Sequence, residues 1–377
     1  MKSKWALPPF FIFVLRRYNF MQVALIGMTQ SGKTMLFSAI TEGHVHVSAG
    51  AAHQVDKAVV KVPDPRLKVL SDIFKPKKTT YATIEFLDLP GLNFSDESNR
   101  HEARRIIAQA RQADMLVLVL CGFKSDSVAA YRDRINPRDD LEELKGEMVL
   151  ADLDLVANRI DKLEKSITKP TKTQEQDKQE LALMRRCNDV LENMQPLAQA
   201  IKTPEEEKLV RSFGFLTLKP LCVVINVNED QQDQPVDLSS DQAEGEVIAL
   251  SAQLEAELAV LEDEERQAFL QDMGLNEIAR DRLVSTCYRT LNLASFLTVG
   301  SDEVRAWTIA SGCAAVEAAG EVHSDIQRGF IRAETVNYDD FISAGDMKSA
   351  KAAGKVRLEG KTYPVRDGDI INFRFNV

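Results

Sequence analysis

The feature that most constrains this chain is Gly27-Met28-Thr29-Gln30-Ser31-Gly32-Lys33-Thr34, a match to the pattern GxxxxGK[ST]. It follows a short apolar run, residues 21–27 (MQVALIG), that reads as a buried strand. It precedes a helical pattern through Met35, Leu36, Phe37 and Ile40. A phosphate-cradling loop needs this strand–loop–helix setting. Gly27 and Gly32 let the backbone curl until its N–H groups converge on phosphate oxygens, and the helix N-terminus adds positive potential. Lys33 is the expected catalytic cation, reaching the β- and γ-phosphates, and the Thr34 hydroxyl is placed to ligate Mg2+. Gln30, Ser31 and Met35 are counted with the loop as nucleotide-binding residues.

Two further motifs fall in the order such a site requires. Asp88-Leu-Pro-Gly91 is a DxxG at the end of the strand-like residues 83–89 (TIEFLDL). Asp88 would hold Mg2+ through water, and the Gly91 N–H would sense the γ-phosphate. Leu92 stands next, where Ras-like enzymes keep a water-orienting glutamine, so slow turnover or a different catalytic group is expected. After the strand-like run 221–226 comes Asn226-Val-Asn-Glu229, in the place of the guanine-reading NKxD. Valine replaces the lysine and the longer Glu229 replaces the aspartate, so the guanine clamp is altered. Asn228 offers an amide suited to the adenine edge. Ser251-Ala252, after residues 246–250 (EVIAL), fits the last base-contacting position.

Apolar runs at 21–27, 83–89, 115–121, 221–226 and 246–250, separated by helical patterns, predict a mostly parallel sheet covered on both faces. From about residue 139 to 215 the texture turns helical. Leu153, Val156, Ile160, Leu163 and Ile167 form one stripe, and Leu181, Leu183, Met184, Val190, Leu191 and Met194 a second, with a turn at 169–173 between them. This predicts two long antiparallel helices inserted into the sheet domain, either a plain surface excursion or a partner-binding arm. Beyond Leu291, strand-like segments at 304–309, 356–358, 363–365 and 370–377 alternate with turn signals, a compact β-rich domain.

The 377 residues require more than one core. A net charge of −10 argues against a whole-surface nucleic-acid binder, and the five cysteines form no CxxC pair, favouring a reducing compartment. The apolar segment within residues 1–20 is too short to span a bilayer and contains Pro8 and Pro9. It is read as an extension from a misassigned start codon, with a membrane-surface anchor or an export signal as alternatives.

The motifs resemble those of the YchF family of Obg-like ATPases. The P-loop, DLPGL, NVNED, MVLADLDLV, SFGFLTLKP, LEDEERQAFLQDMGL, EVRAWTI, HSDIQRGFIRAE and DGDIINFRFNV carry the likeness, from about Met21 to Val377. The resemblance implies an α/β P-loop NTPase fold with an inserted coiled-coil arm and a C-terminal β-grasp domain of the TGS kind. It also implies ATP preference, weak ATPase activity and association with ribosomes or stress regulation. Departures stand beside it. Gln30 replaces the family's asparagine, which puts potassium dependence in question, and Thr34 replaces its serine. The switch I threonine falls on Ala52, and the glycine-rich stretch after the DxxG reads NFSDESNRHEARR. The chain is thus expected to be a divergent paralogue.

The expected organisation is an extension over 1–20, a P-loop domain over 21–140 plus 216–290, a helical arm over 141–215 and a TGS-like domain over 291–377. The expected function is a slow, cytoplasmic, Mg2+-dependent ATP hydrolase, with no stable membrane association and with ribosome or RNA contact through arm and C-terminal domain. A nucleotide-binding switch with negligible hydrolysis, or a GTPase, are the alternatives. His101 is read as an exposed helix-start residue, and His323 and Asp325 as structural or partner-facing. Lys351, Lys355, Arg357, Lys361, Arg366 and Arg374 make the tail basic, either a solvated face or an RNA contact.

Overall fold

The structure, a computed structural model, describes residues 21–42, 55–125, 130–168, 173–232, 238, 245–275 and 277–376. Residues 1–20, Ala52 and most of the turn expected at 169–173 lie outside them. In chain order the strands and α-helices are β1 (Gln22–Gly27), α1 (Lys33–Ile40), β2 (Asp56–Lys61), α2 (Pro65–Phe74), β3 (Lys78–Thr80), β4 (Thr83–Asp88) and α3 (Glu97–Gln109). Then come β5 (Met115–Cys121), α4 (Pro137–Ser166), α5 (Gln174–Glu192), α6 (Pro204–Val210), β6 (Leu221–Asn226), β7 (Val247–Leu250), α7 (Ala252–Ala259), α8 (Asp263–Asp272) and α9 (Ala279–Thr290). The chain continues with β8 (Leu293–Thr298), β9 (Glu303–Ala310), α10 (Ala315–Val322), α11 (Ser324–Arg328), β10 (Phe330–Asn337), α12 (Tyr338–Ala344), α13 (Met347–Ala352), β11 (Arg357–Glu359) and β12 (Asp369–Phe375).

The first sheet has the order β2-β4-β1-β5-β6-β7, and the pairs β4–β1, β1–β5, β5–β6 and β6–β7 are parallel. Its central strands are apolar at successive positions because both faces are covered: every residue of β5 (MLVLVLC) and of β6 (LCVVIN) is buried. The P-loop, the DxxG and the NVNE segment leave the sheet at the carboxyl ends of β1, β4 and β6. Ser251 follows β7. Parallel register brings these ends to one edge, which is why motifs far apart in sequence meet there.

Two compact units divide the chain. One takes in Met21–Ala58 and Glu85–Cys287, and the other takes in Val59–Ile84 and Tyr288–Val377. In the first unit the expected helical arm is α4, of 30 residues, and α5, of 19 residues. Asn136 caps α4 by accepting from Asp139 N–H at 3.3 Å, and Pro137 occupies its first turn. Val156, Leu163, Leu181, Met184, Cys187 and Leu191 are buried in a core of the arm's own, with Leu153, Ile160 and Ile167 half-buried against it. Met194 departs from the expected stripe: it lies past the end of α5 at φ 53° and is exposed. At the arm's root the fully buried Asp152 accepts from Arg111 at 2.6 Å, from the N–H groups of Leu216 and Thr217 and from the Thr217 hydroxyl.

The second unit is built on a mixed sheet of order β11-β10-β12-β8-β9-β3. β8 and β9 are antiparallel, β12 lies parallel beside β8, and β10 runs antiparallel to β11 and β12. Phe296, Ile309, Ala315, Ala318, Ala319 and Phe373 close its core. Four helices, α10 to α13, interleave with the strands that the sequence suggested. Residues 363–365, expected as a strand, contribute only an isolated bridge between Ala314 and Pro364. Proline has no N–H to give to a ladder.

Candidate functional site

The P-loop bends where its backbone demands. Gln30 (φ 66°) and Gly32 (φ 81°) take left-handed conformations. At Gly32 a side chain is excluded twice over, because a Cβ there would strike the Asn226 amide nitrogen. Gly91 is also closely packed, its notional Cβ 2.9 Å from Thr29 Cα, so the DxxG turn lies on the phosphate loop.

Beneath the loop, Lys33 Nζ stands 3.4 Å from Asp88 Oδ1, and the Thr34 hydroxyl donates to Asp88 Oδ2 at 2.9 Å. Burial pushes the Lys33 ammonium down and the Asp88 carboxyl up, and the attraction between them opposes both shifts. Among the described residues the buried Ser31 Oγ has no hydrogen-bond partner, and Asp88 Oδ1 is met by the Lys33 ammonium alone. The Asp88 carboxylate and the Thr34 hydroxyl fit Mg2+, and the Lys33 ammonium fits phosphate oxygens, with the unpartnered Ser31 Oγ beside them. Thr34 and Met35, at the start of α1, are exposed.

Of the residues expected on the base side, Asn226 makes the central contacts. Its amide donates to Ser31 O at 3.1 Å and accepts from Ala252 N–H at 2.9 Å, joining the P-loop to the loop after β7. The Ser251 hydroxyl caps α7 by accepting from Leu254 N–H at 3.3 Å. Asn228 pairs its amide with the Lys124 backbone, accepting from the N–H at 2.9 Å and donating to the carbonyl at 3.1 Å. Each amide atom of Asn228 keeps one further bonding position. Glu229 is exposed. Val227, in the place of the guanine-motif lysine, is buried in the core.

Leu92 is fully buried among Met28, Leu89 and Phe94. His101 is exposed on α3. The sequence reading missed the stretch after β5: Phe123, Lys124, Asp133 and Arg134 line, with Gln30, a cavity of about 410 Å3 beside the P-loop. The signal that marks this stretch is its position at the carboxyl end of a central parallel strand. In the second unit, His323 Nδ1 accepts from Asp325 N–H at 3.1 Å. Cations of the basic tail face acids: Lys351 pairs with Glu334 at 2.7 Å, Lys355 with Asp340 at 2.8 Å and Arg374 with Glu334 at 3.2 Å. Among the described residues no helix is long and apolar enough to cross a membrane.

Residues 22–159 match a family described as 50S ribosome-binding GTPase. Residues 293–376 match the family YchF-GTPase_C, described as a protein of unknown function. The chain is 38% identical over 364 residues to the ribosome-binding ATPase YchF of Bacillus subtilis, covering 94% of this chain and 98% of that protein. It is 37% identical over 361 residues to the protein of that name from Escherichia coli O157:H7, with the same coverage. Among solved structures, the Schizosaccharomyces pombe YchF GTPase superposes with a TM-score of 0.82 at 26% identity, covering 96% of this chain and all of that one.

Proposed function

This chain belongs to the YchF family of P-loop NTPases, and we propose that it binds ATP with Mg2+, hydrolyses it slowly and couples the bound nucleotide to ribosome association. The observation that carries this reading is the Lys33–Asp88–Thr34 group, with Lys33 and Asp88 buried, under a P-loop that Asn226 joins to the loop after β7. Lys33 and the loop N–H groups would hold the β- and γ-phosphates. Thr34 would ligate Mg2+ directly and Asp88 through water, and the ion would neutralise charge on the phosphate oxygens. Gly91, packed on Thr29, would turn its N–H to the γ-phosphate.

ATP is favoured over GTP by Glu229, whose longer carboxylate replaces the guanine-reading aspartate, and by the buried Val227, which stands where the guanine motif has its lysine. The bacterial relatives carry ATPase in their names and the yeast structure carries GTPase, so the base must be measured. Ribosome association rests on the relatives' names, with the arm and the C-terminal unit as the proposed contact surfaces. A cytoplasmic location accords with that partner.

A second reading, a nucleotide-gated switch with negligible hydrolysis, is favoured by the burial of Leu92, which leaves no side chain there to orient water. Calorimetry with ATP, GTP and their non-hydrolysable analogues, followed by single-turnover kinetics and ribosome co-sedimentation, separates the readings. ATP binding with measurable release of phosphate supports the ATPase. An intact γ-phosphate over hours supports the switch. A preference for GTP overturns the assignment of Glu229.

A further inference from the structure

The backbone that follows the DxxG glycine is gripped from two sides. On one side Leu92 N–H donates to Gly27 O at 2.9 Å and Thr29 N–H donates to Leu92 O at 2.8 Å. On the other side Phe94 N–H donates to the Tyr131 hydroxyl oxygen at 2.9 Å, and Arg132 Nη2 donates to Phe94 O at 3.0 Å. Residues 92 and 94 therefore each have both backbone groups bound, the first by the P-loop and the second by two adjacent side chains ahead of α4.

The grip on Phe94 is aimed from the arm helix. Arg132 donates from Nη2 to Glu143 Oε1 at 2.9 Å and from Nη1 to Glu143 Oε2 at 3.1 Å, a two-point contact that fixes the plane of the guanidinium. The same guanidinium lies 5.0 Å from the centroid of the Tyr131 ring. Glu147, one turn further along α4, pairs at 3.1 Å with Arg100, whose guanidinium sits 6.0 Å from the centroid of the Phe94 ring. Arg132 and Asp133 both hold φ at 52°, a left-handed conformation that persists in non-glycine residues only where surrounding contacts over-determine it.

We propose that Tyr131 and Arg132 are positioning residues for γ-phosphate recognition. By fixing Phe94 they hold the DxxG segment in register on the P-loop, keep Leu92 in the core and present Gly91 to the terminal phosphate. Through Glu143 they tie that segment to the first turns of α4, so the nucleotide state and the arm share one contact. A segment held in the productive arrangement before binding gives up little conformational freedom when the γ-phosphate arrives. ADP lacks that phosphate and gains nothing from the hold.

The proposal rests on the nucleotide site described above, and the test separates the two. The full chain and its Arg132→Ala, Arg132→Lys and Tyr131→Phe variants are titrated with ADP and with adenylyl imidodiphosphate, and amide hydrogen exchange is followed over residues 92–95. Arg132→Ala is expected to lower the analogue-to-ADP affinity ratio about tenfold while ADP affinity stays within about twofold, the loss of one charge-assisted hydrogen bond. Exchange at 92–95 should quicken. Arg132→Lys should restore part of the ratio, since an ammonium still donates to Phe94 O. Tyr131→Phe should act in the same direction while keeping the ring under Arg132. Equal losses of ADP and analogue affinity, an unchanged ratio, or unchanged exchange at 92–95 would overturn the positioning role while leaving the site intact. A wild-type chain that binds neither nucleotide would overturn the site and the positioning role together.

Discussion

Lys33 Nζ lies 3.4 Å from Asp88 Oδ1, and both side chains are almost wholly withdrawn from solvent. Each is the other's charge partner, and on the proposed reading phosphate would give the lysine an anion to meet and Mg2+ would give the carboxylate a cation. Lys33→Ala removes the proposed phosphate cation and leaves the buried Asp88 carboxylate without its lysine counter-charge and with the like charge of Asp56. Breaking such a pair costs about 3–5 kcal/mol, less whatever Asp88 recovers by taking up a proton. The expected outcome is loss of calorimetric ATP binding together with a lowered thermal midpoint. Wild-type ATP affinity in this variant would remove Lys33 from the site.

Leu92 occupies the sequence position of a water-orienting glutamine but not, by its burial, the place of one. Leu92→Gln is therefore expected to give no gain in single-turnover rate. Burying an amide among Met28, Leu89 and Phe94 should instead destabilise the fold by about 2 kcal/mol. Denaturant unfolding and phosphate release measured on the same preparation check both halves. A faster rate would show that the side chain reaches the γ-phosphate after all.

Asn226 and Glu229 should fail in different ways. Asn226→Ala strands Ser31 O and Ala252 N–H, two buried groups worth roughly 1 kcal/mol or more each. ATP and GTP affinity should then fall together, by roughly tenfold or more. Glu229→Asp restores the carboxylate length of the guanine motif and should raise GTP affinity relative to ATP without weakening both. Competition titrations with the two nucleotides distinguish a site-assembling residue from a base-reading one.

Asp140, in the first turns of α4, has its carboxyl pushed up to about 6 by burial, against the pull of Arg134 at 3.3 Å. An unfolded aspartate titrates near ~3.9, so between these values the folded chain holds the proton more firmly. The group's contribution to stability is therefore greatest at low pH and is lost as pH rises from ~4 through about 6. Asp140→Asn is expected to melt above the wild type at neutral pH, with the gap closing as the pH is lowered toward 4. Thermal unfolding across that pH series tests it, and a gap that widened on acidification would reverse the sign.

Much of the fold was legible in the sequence because its determinants are local. Continuous apolar runs announced β1, β4, β5, β6 and β7, since a parallel strand is buried on both faces. The spacing of Val156, Leu163, Leu181 and Leu191 announced the arm, since one face of each helix must be covered. The short and polar strands β2 and β3, and the helices between the C-terminal strands, carry no such signal. The place of Val59–Ile84 in the second unit was equally hidden: β3 pairs with β9, more than two hundred residues away, and Arg66 bonds Asp367 at 2.7 Å.

By itself the sequence determined the loop that curls at Gly32, the order of the motifs, the parallel sheet and the helical insertion. Each follows from a backbone requirement or a periodicity contained within a few neighbouring residues. Tertiary structure alone decided that Leu92 turns inward, that Asn228 is engaged by Lys124, and that Tyr131 and Arg132 grip Phe94. Those outcomes depend on which distant groups arrive within hydrogen-bond reach once the chain has closed, and no local pattern encodes them.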